Sequence, residues 1–131
     1  MPADSKQAQW GPMFYKCGKA WGRPLDIFDT IKADITAAGF TNVQEQLYKI
    51  PIGPWPKHPL YKEAGKWNLD QLLTGLEGYA LMLLTKFGEP TPWSTEEVQA
   101  FLEGMREEMM DRTRHTYIYT RRVFAQKPLK E

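Results

Sequence analysis

Residues 42–52 read NVQEQLYKIPI, and this stretch decides the fold class. Val43, Leu47, Tyr48, Ile50 and Ile52 supply the β-branched and large apolar side chains that favour a strand. Gly53-Pro54 ends the run. Pro51 near its exit predicts an unpaired edge, because proline cannot donate to a ladder. A second run of this kind, TYIYTRRVFA, occupies residues 116–125, and Lys127-Pro128 closes it. Alternation puts Tyr117, Tyr119 and Val123 on one face and Ile118 and Phe124 on the other. Two strands more than sixty residues apart make a marginal sheet by themselves. Large apolar residues on both faces predict a sheet covered on both sides by helices. The pair therefore reads as part of a larger sheet.

Outward from these strands the pattern turns helical. Pro12 fits the first turn of a helix whose missing N–H costs nothing there. Met13, Phe14, Cys17 and Trp21 follow at helical spacing, and Gly22 ends it. A second helix is expected from Pro24, with Ile27, Phe28, Ile31, Ile35 and Ala38 on one face and Gly39 as its C′ residue. After the first strand, Pro54, Pro56 and Pro59 make a stiff, extended loop. A helical block begins near Leu60 and is strongest from Leu69 to Phe87. Leu81 and Met82 make it apolar on more than one face, which predicts central burial or a partner. Gly88 and Pro90 stop it. Ser94 and Glu97 form a capping-box signature. Val98, Phe101, Leu102, Met105 and Met109 make the stripe of that last helix. Glu96 and Glu97 at its start and Arg112 and Arg114 at its end match the macrodipole. The inventory is an α/β chain of about four helices and two strands, preceded by a polar N-terminal tail over residues 1–9.

Composition narrows the function. The chain has 131 residues, 42% of them hydrophobic, which suits one globular domain. Seventeen Lys+Arg against sixteen Asp+Glu give a net charge of +1. That balance argues against a dedicated nucleic-acid binder. The single cysteine, Cys17, excludes an intrachain disulfide and fits a reducing compartment. It lies on an apolar stripe and reads as a small core residue. Residues 1–9 lack the apolar core of a secretory signal. The densest apolar run, Ala80 to Leu84, falls far short of the roughly 20 residues that span a bilayer. The expectation is a soluble intracellular protein, cytoplasmic or nuclear, with no membrane and no nucleic-acid partner.

Strong catalytic motifs are missing. No two glycines stand two residues apart, so there is no G-x-G element and no P-loop. Two histidines and one cysteine, with no C-x-x-C and no H-x-x-x-H, make a weak metal set. Ser5 lies in the tail and Ser94 reads as an N-cap, which leaves no serine nucleophile. The Arg121-Arg122 pair reads as a solvated edge. His58, between prolines, is either a solvated loop residue or part of a site. His115 either caps the last helical carbonyls or lines a pocket. Trp55, Tyr61, Trp67 and Tyr79 either pack a core or wall a pocket for a flat substrate.

Several stretches carry a family resemblance. Gly22-Arg23-Pro24-Leu25-Asp26, Ala38-Gly39-Phe40 and Lys49-Ile50-Pro51-Ile52-Gly53-Pro54-Trp55-Pro56-Lys57 come first. Leu60 to Asn68, Gly75-Leu76-Glu77-Gly78 and His115-Thr116-Tyr117 follow in order. Together, over residues 10–128, they resemble the C-terminal half of fungal S-adenosylmethionine-dependent class I methyltransferases of the LaeA-like group. The segment from Lys49 to Asn68 is the most specific. His58 stands where that group has an acidic residue, Thr116 where a small one is usual, and Ala125-Gln126 where Gly-Arg commonly precedes Lys-Pro.

The resemblance implies a seven-stranded sheet whose last two strands are these two, the sixth parallel to the rest and the seventh antiparallel. A helical substrate cap would lie between them, over about residues 59–112, and residues 129–131 would be a tail. The donor-binding glycine loop belongs to the N-terminal half, which this chain does not match. The expectation is thus a truncated, methyltransferase-like chain that binds no cofactor alone and is not active alone, a pseudoenzyme by itself. In open α/β sheets ligands bind beyond the carboxyl ends of the parallel strands. That places Trp55, His58, Tyr61 and Trp67 on the substrate side, with Tyr79, His115 and Tyr117. No catalytic residue carries over. The substrate would be a small aromatic or polyketide-like molecule, and a protein partner or self-association would cover the sheet. Two alternatives are a repurposed small-molecule enzyme of cyclase type and a non-catalytic interaction subunit.

Overall fold

A computed structural model describes residues 4–129. The ends of both expected tails, residues 1–3 and 130–131, lie outside the described residues. Six elements follow in order: α1 (Lys6–Ala20), α2 (Ile31–Ala37), β1 (Thr41–Pro51), α3 (Pro59–Phe87), α4 (Thr95–Met110) and β2 (Tyr117–Gln126). Among the described residues the architecture is four helices with a two-stranded antiparallel sheet.

β1 and β2 pair from Thr41 opposite Gln126 to Pro51 opposite Tyr117, with an irregularity between Thr41 and Gln44. Asn42 takes a left-handed φ of 52° at that point, a conformation asparagine tolerates better than most residues. The register puts Leu47 opposite Arg121 and Glu45 opposite Val123. That face receives the α2 region. Arg121 sits 4.5 Å from the centre of the Phe28 ring and pairs with Asp29 at 3.2 Å and Glu45 at 3.4 Å. The expected cover over both faces is not met among the described residues. Leu47, Tyr48, Ile118, Tyr119 and Phe124 are exposed.

The core lies among the helices. Cys17 from α1, Leu76, Ala80, Leu83 and Leu84 from α3, and the apolar stripe of α4 form one buried cluster. Each fully buried leucine there contributes about 1.5–3 kcal/mol of transfer free energy. The broad apolar surface of α3 is explained by its three neighbours, α1, α4 and β1. Burial also raises the pKa of the Cys17 thiol, with Glu89 adding to the effect, so the group is a protonated packing element. Among the described residues, no helix is long and apolar enough to cross a membrane.

Local signals held where their partners are local. Ser94 Oγ accepts from Glu97 N at 3.1 Å, and the Glu97 carboxylate accepts from Ser94 N at 2.7 Å. Gly39 follows α2 with a φ of 87°. Three boundaries differ from expectation. α1 begins at Lys6, so Lys6 to Gln9 form its first turn rather than a tail, and Pro12 lies inside the helix. Ser5 caps Ala8 N, and the Glu108 carboxylate of α4 accepts from Lys6 N at 2.8 Å and Gln7 N at 3.1 Å. α2 begins at Ile31, not Pro24. The chain instead folds back over α1: Arg23 N donates to Gly18 O at 2.9 Å, and a Cβ on Gly18 would meet Arg23 O at 2.8 Å. α4 ends at Met110, so Arg112 and Arg114 lie past it. Arg114 turns back to Glu108 at 3.1 Å and Asp111 at 3.4 Å.

Candidate functional site

The segment leaving β1 is fastened to α3 and to the residue before β2. Ile52 N and Trp55 Nε1 both donate to Thr116 O, at 3.0 and 2.9 Å. Asn68 Nδ2 donates to Pro51 O at 2.9 Å, and Gly53 N to Gly65 O at 2.9 Å. Two glycines make this crossing possible. Gly53 has a φ of 91°, which disfavours any side chain. A Cβ on Gly65 would stand 2.1 Å from Gly53 O. The exit of β1 and the start of β2 are thereby held at one end of the sheet.

Trp55 is the pivot of that end. Its ring stacks on His115 with centroids 5.0 Å apart. His115 therefore does not cap α4, which ends before it. Trp55 is a wall shared by two clefts. The first, about 700 Å³, is bounded by Lys49, Pro56, Leu60, Tyr61 and Tyr117. Lys49 Nζ stands 3.6 Å from the centre of the Tyr117 ring. Hydrogen bonding by Tyr119 and the positive charge of Lys49 lower the pKa of the Tyr117 phenol below its ordinary value. His58 stands 5.4 Å from the Tyr61 ring. The second cleft, about 750 Å³, has Ile52, Leu69, Leu73 and Met109 in its lining with Lys62, Lys66, Asp70, Arg112 and Arg114.

Of the seven sequence-derived candidates, Trp55, Tyr61 and Tyr117 line one cleft; His115 stacks on Trp55, and His58 lies tilted beside Tyr61. Tyr79 lines a different cleft of about 430 Å³ with Trp10, Phe14 and Leu72, which Tyr117 also borders. Trp67 lines none of these three clefts and is 67% exposed. A single helix cannot turn Tyr61 and Trp67, six residues apart, to the same side. Sequence reasoning missed Lys49, Asn68 and Gly65. A glycine in mid-helix was the available signal for Gly65. Nothing local marks Lys49, whose place depends on strand register. Among the described residues, no cluster of His, Cys, Asp and Glu has the make-up of a metal site.

Three known proteins show what the chain is similar to. The probable methyltransferase TdiE of Emericella nidulans is 31% identical over 121 residues, covering 92% of this chain and 37% of its own length. The methyltransferase PytC of Aspergillus terreus is 33% identical over 129 residues, covering 98% of this chain and 39% of its own. The protein-methionine methyltransferase LaeA of Emericella nidulans is 26% identical over 102 residues, 78% of this chain and 26% of its own. No family model matches the chain, and no solved structure matches it.

Proposed function

We propose that this chain forms the acceptor side of a methyltransferase. It is homologous to fungal methyltransferases of the LaeA-like group, matching 92% and 98% of its length to TdiE and PytC. It spans less than two-fifths of those relatives, 37% and 39%.

One observation carries the reading. The end of the sheet where β1 exits and β2 begins holds an aromatic cleft walled by Trp55, Tyr61 and Tyr117. On this reading β1 is the parallel sixth strand of the larger sheet and β2 the antiparallel seventh. The cleft then lies at the carboxyl end of a parallel strand, where open α/β sheets take ligands. Flat ring faces suit an aromatic or polyketide-like acceptor. Lys49 beside Tyr117 supplies a positive charge that favours an acceptor's oxygen in its anionic form. Methyl transfer depends mainly on orientation, so a positioning cleft with few obligate catalytic groups is what the chemistry asks for.

S-adenosylmethionine, the donor that the resemblance implies, does not fit these residues. Its recognition needs backbone that approaches the ligand closely at a glycine turn. Here no two glycines stand two apart, and Gly53 and Gly65 close on each other. The donor would bind protein beyond these residues, which makes the chain inactive alone. The exposed sheet residues Leu47, Tyr48, Ile118 and Phe124 favour a partner chain or a second copy as their cover.

Fluorescence tests the cleft. A flat apolar probe, 2-naphthol, is expected to quench tryptophan emission saturably. Trp55→Phe should abolish most of the quench, and Trp67→Ala should leave both quench and stability within about 0.5 kcal/mol of the parent, as for an exposed site. Quenching that depends on Trp67 and not on Trp55 would overturn the assignment.

A further inference from the structure

We infer that the third cleft, between α1, α3, α4 and the start of β2, is a binding site for a neutral, flat aromatic carbonyl compound. Three features of its lining carry the inference. The first is shape. Trp10 and Phe14, one turn apart on α1, stack with ring centroids 4.1 Å apart, and Trp10 also stacks against Phe101 of α4 at 6.4 Å. The helical core thus fixes this aromatic wall before any ligand arrives. α3 and α4 add the buried side chains of Leu76, Met105 and Met109. The second feature is charge. None of the lining residues is a lysine, arginine, aspartate or glutamate. An ion entering this space would leave water for an apolar surface with no counter-charge in the lining. The third is an unpartnered donor. Gln7 lines the cleft, and its side-chain Nε2 is buried with no acceptor among the described residues. The Gln7 main chain is held separately, by the Glu108 carboxylate.

Together these features select a ligand class. A hydrocarbon would fill the aromatic space and leave Gln7 Nε2 without an acceptor. A carboxylate would supply the acceptor and bring a charge that the lining does not balance. A neutral carbonyl on a flat ring system meets all three conditions. Folding has already stripped water from Nε2, so a carbonyl oxygen that reaches it gains a hydrogen bond with no water bond lost on the protein side. A volume of about 430 Å³ lies within the range of small-molecule sites and admits two fused rings. The site is distinct from the acceptor cleft, since only Tyr117 borders both.

2-Acetylnaphthalene is the probe, followed by NMR shifts of the amides and of the tryptophan indole N–H signals on the whole chain. Saturable shifts are expected at the Trp10 indole and across residues 7–14 and 71–79, at concentrations below those that move the Trp55 indole. 2-Ethylnaphthalene keeps the rings and lacks the oxygen, and should bind about fivefold more weakly. 2-Naphthoate should bind weaker than the ketone by about tenfold or more. Gln7→Leu should bring 2-acetylnaphthalene down to the affinity of 2-ethylnaphthalene and leave 2-ethylnaphthalene itself within about twofold, since it removes only the unpartnered donor. The pair of neutral compounds reads the same donor on the unsubstituted chain. Equal binding of that pair, equal or tighter binding of 2-naphthoate, a Trp55 indole that saturates first, or a preference for the ketone that survives Gln7→Leu would each overturn the inference.

Discussion

Gly65→Ala is the perturbation that probes the site most sharply. An alanine Cβ at this position would stand 2.1 Å from Gly53 O, whereas a carbon–oxygen contact settles at about 3.3 Å. The β1 exit must then retreat from α3 by roughly 1 Å. That movement breaks the bond from Gly53 N to Gly65 O, a loss of about 1 kcal/mol. It also strains the packed crossing, at about 1–3 kcal/mol for overpacking of this kind. Alanine gains about 1 kcal/mol over glycine in a helix interior. The net expectation is destabilisation by about 2 kcal/mol. Gly78→Ala is the matched control, since α3 has open space there and the helix gain stands alone, at about 1 kcal/mol of added stability. Urea unfolding of the three proteins, compared by linear extrapolation, reads the difference of about 3 kcal/mol. A Gly65→Ala protein as stable as Gly78→Ala would refute the close approach on which the cleft geometry depends.

Two further outcomes follow from the caps. Ser94→Ala removes the acceptor for Glu97 N and is expected to lower stability by about 1 kcal/mol, read as a shift in unfolding midpoint. Glu108 is pushed up by burial, but the backbone N–H groups of Gln7 and Lys6 and the Arg114 guanidinium outweigh this and hold its pKa below the ordinary glutamate value. A depressed carboxylate pKa stabilises the fold above the unfolded-state value, and this contribution is lost as pH falls through the folded one. Stability should therefore drop on acidification below the usual glutamate range, and Glu108→Gln should flatten that drop in a pH series of denaturation curves.

The parts of the fold that were legible in the sequence have short-range causes. The capping box of α4 and the left-handed Gly39 depend on neighbours within a few residues, and both strands show in their β-branched and aromatic content although their pairing is long-range. The parts that were not legible depend on contacts made across the fold. α1 starts at Lys6 because a carboxylate about a hundred residues away accepts its first N–H groups. The helix expected from Pro24 starts late because Arg23 is bonded back to Gly18. At the candidate site, Trp55, Tyr61 and Tyr117 were accessible to reasoning from strand ends. Trp67 was separable from Tyr61 only by helix phase, since six residues along α3 turn the two to different sides, whereas aromatic content alone groups them. The second cleft escaped notice because its lining comes from the β1 exit, α3 and the segment after α4, which only tertiary packing brings together.

Calorimetric titration of the chain with S-adenosylhomocysteine tests the central claim most directly, because the account gives this chain the acceptor cleft and not the donor site. The expected result is no measurable binding heat with the chain alone, and binding only when a glycine-rich N-terminal methyltransferase half is supplied as a second chain. A dissociation constant in the low micromolar range or tighter for the chain alone, about −7 to −8 kcal/mol, would contradict it.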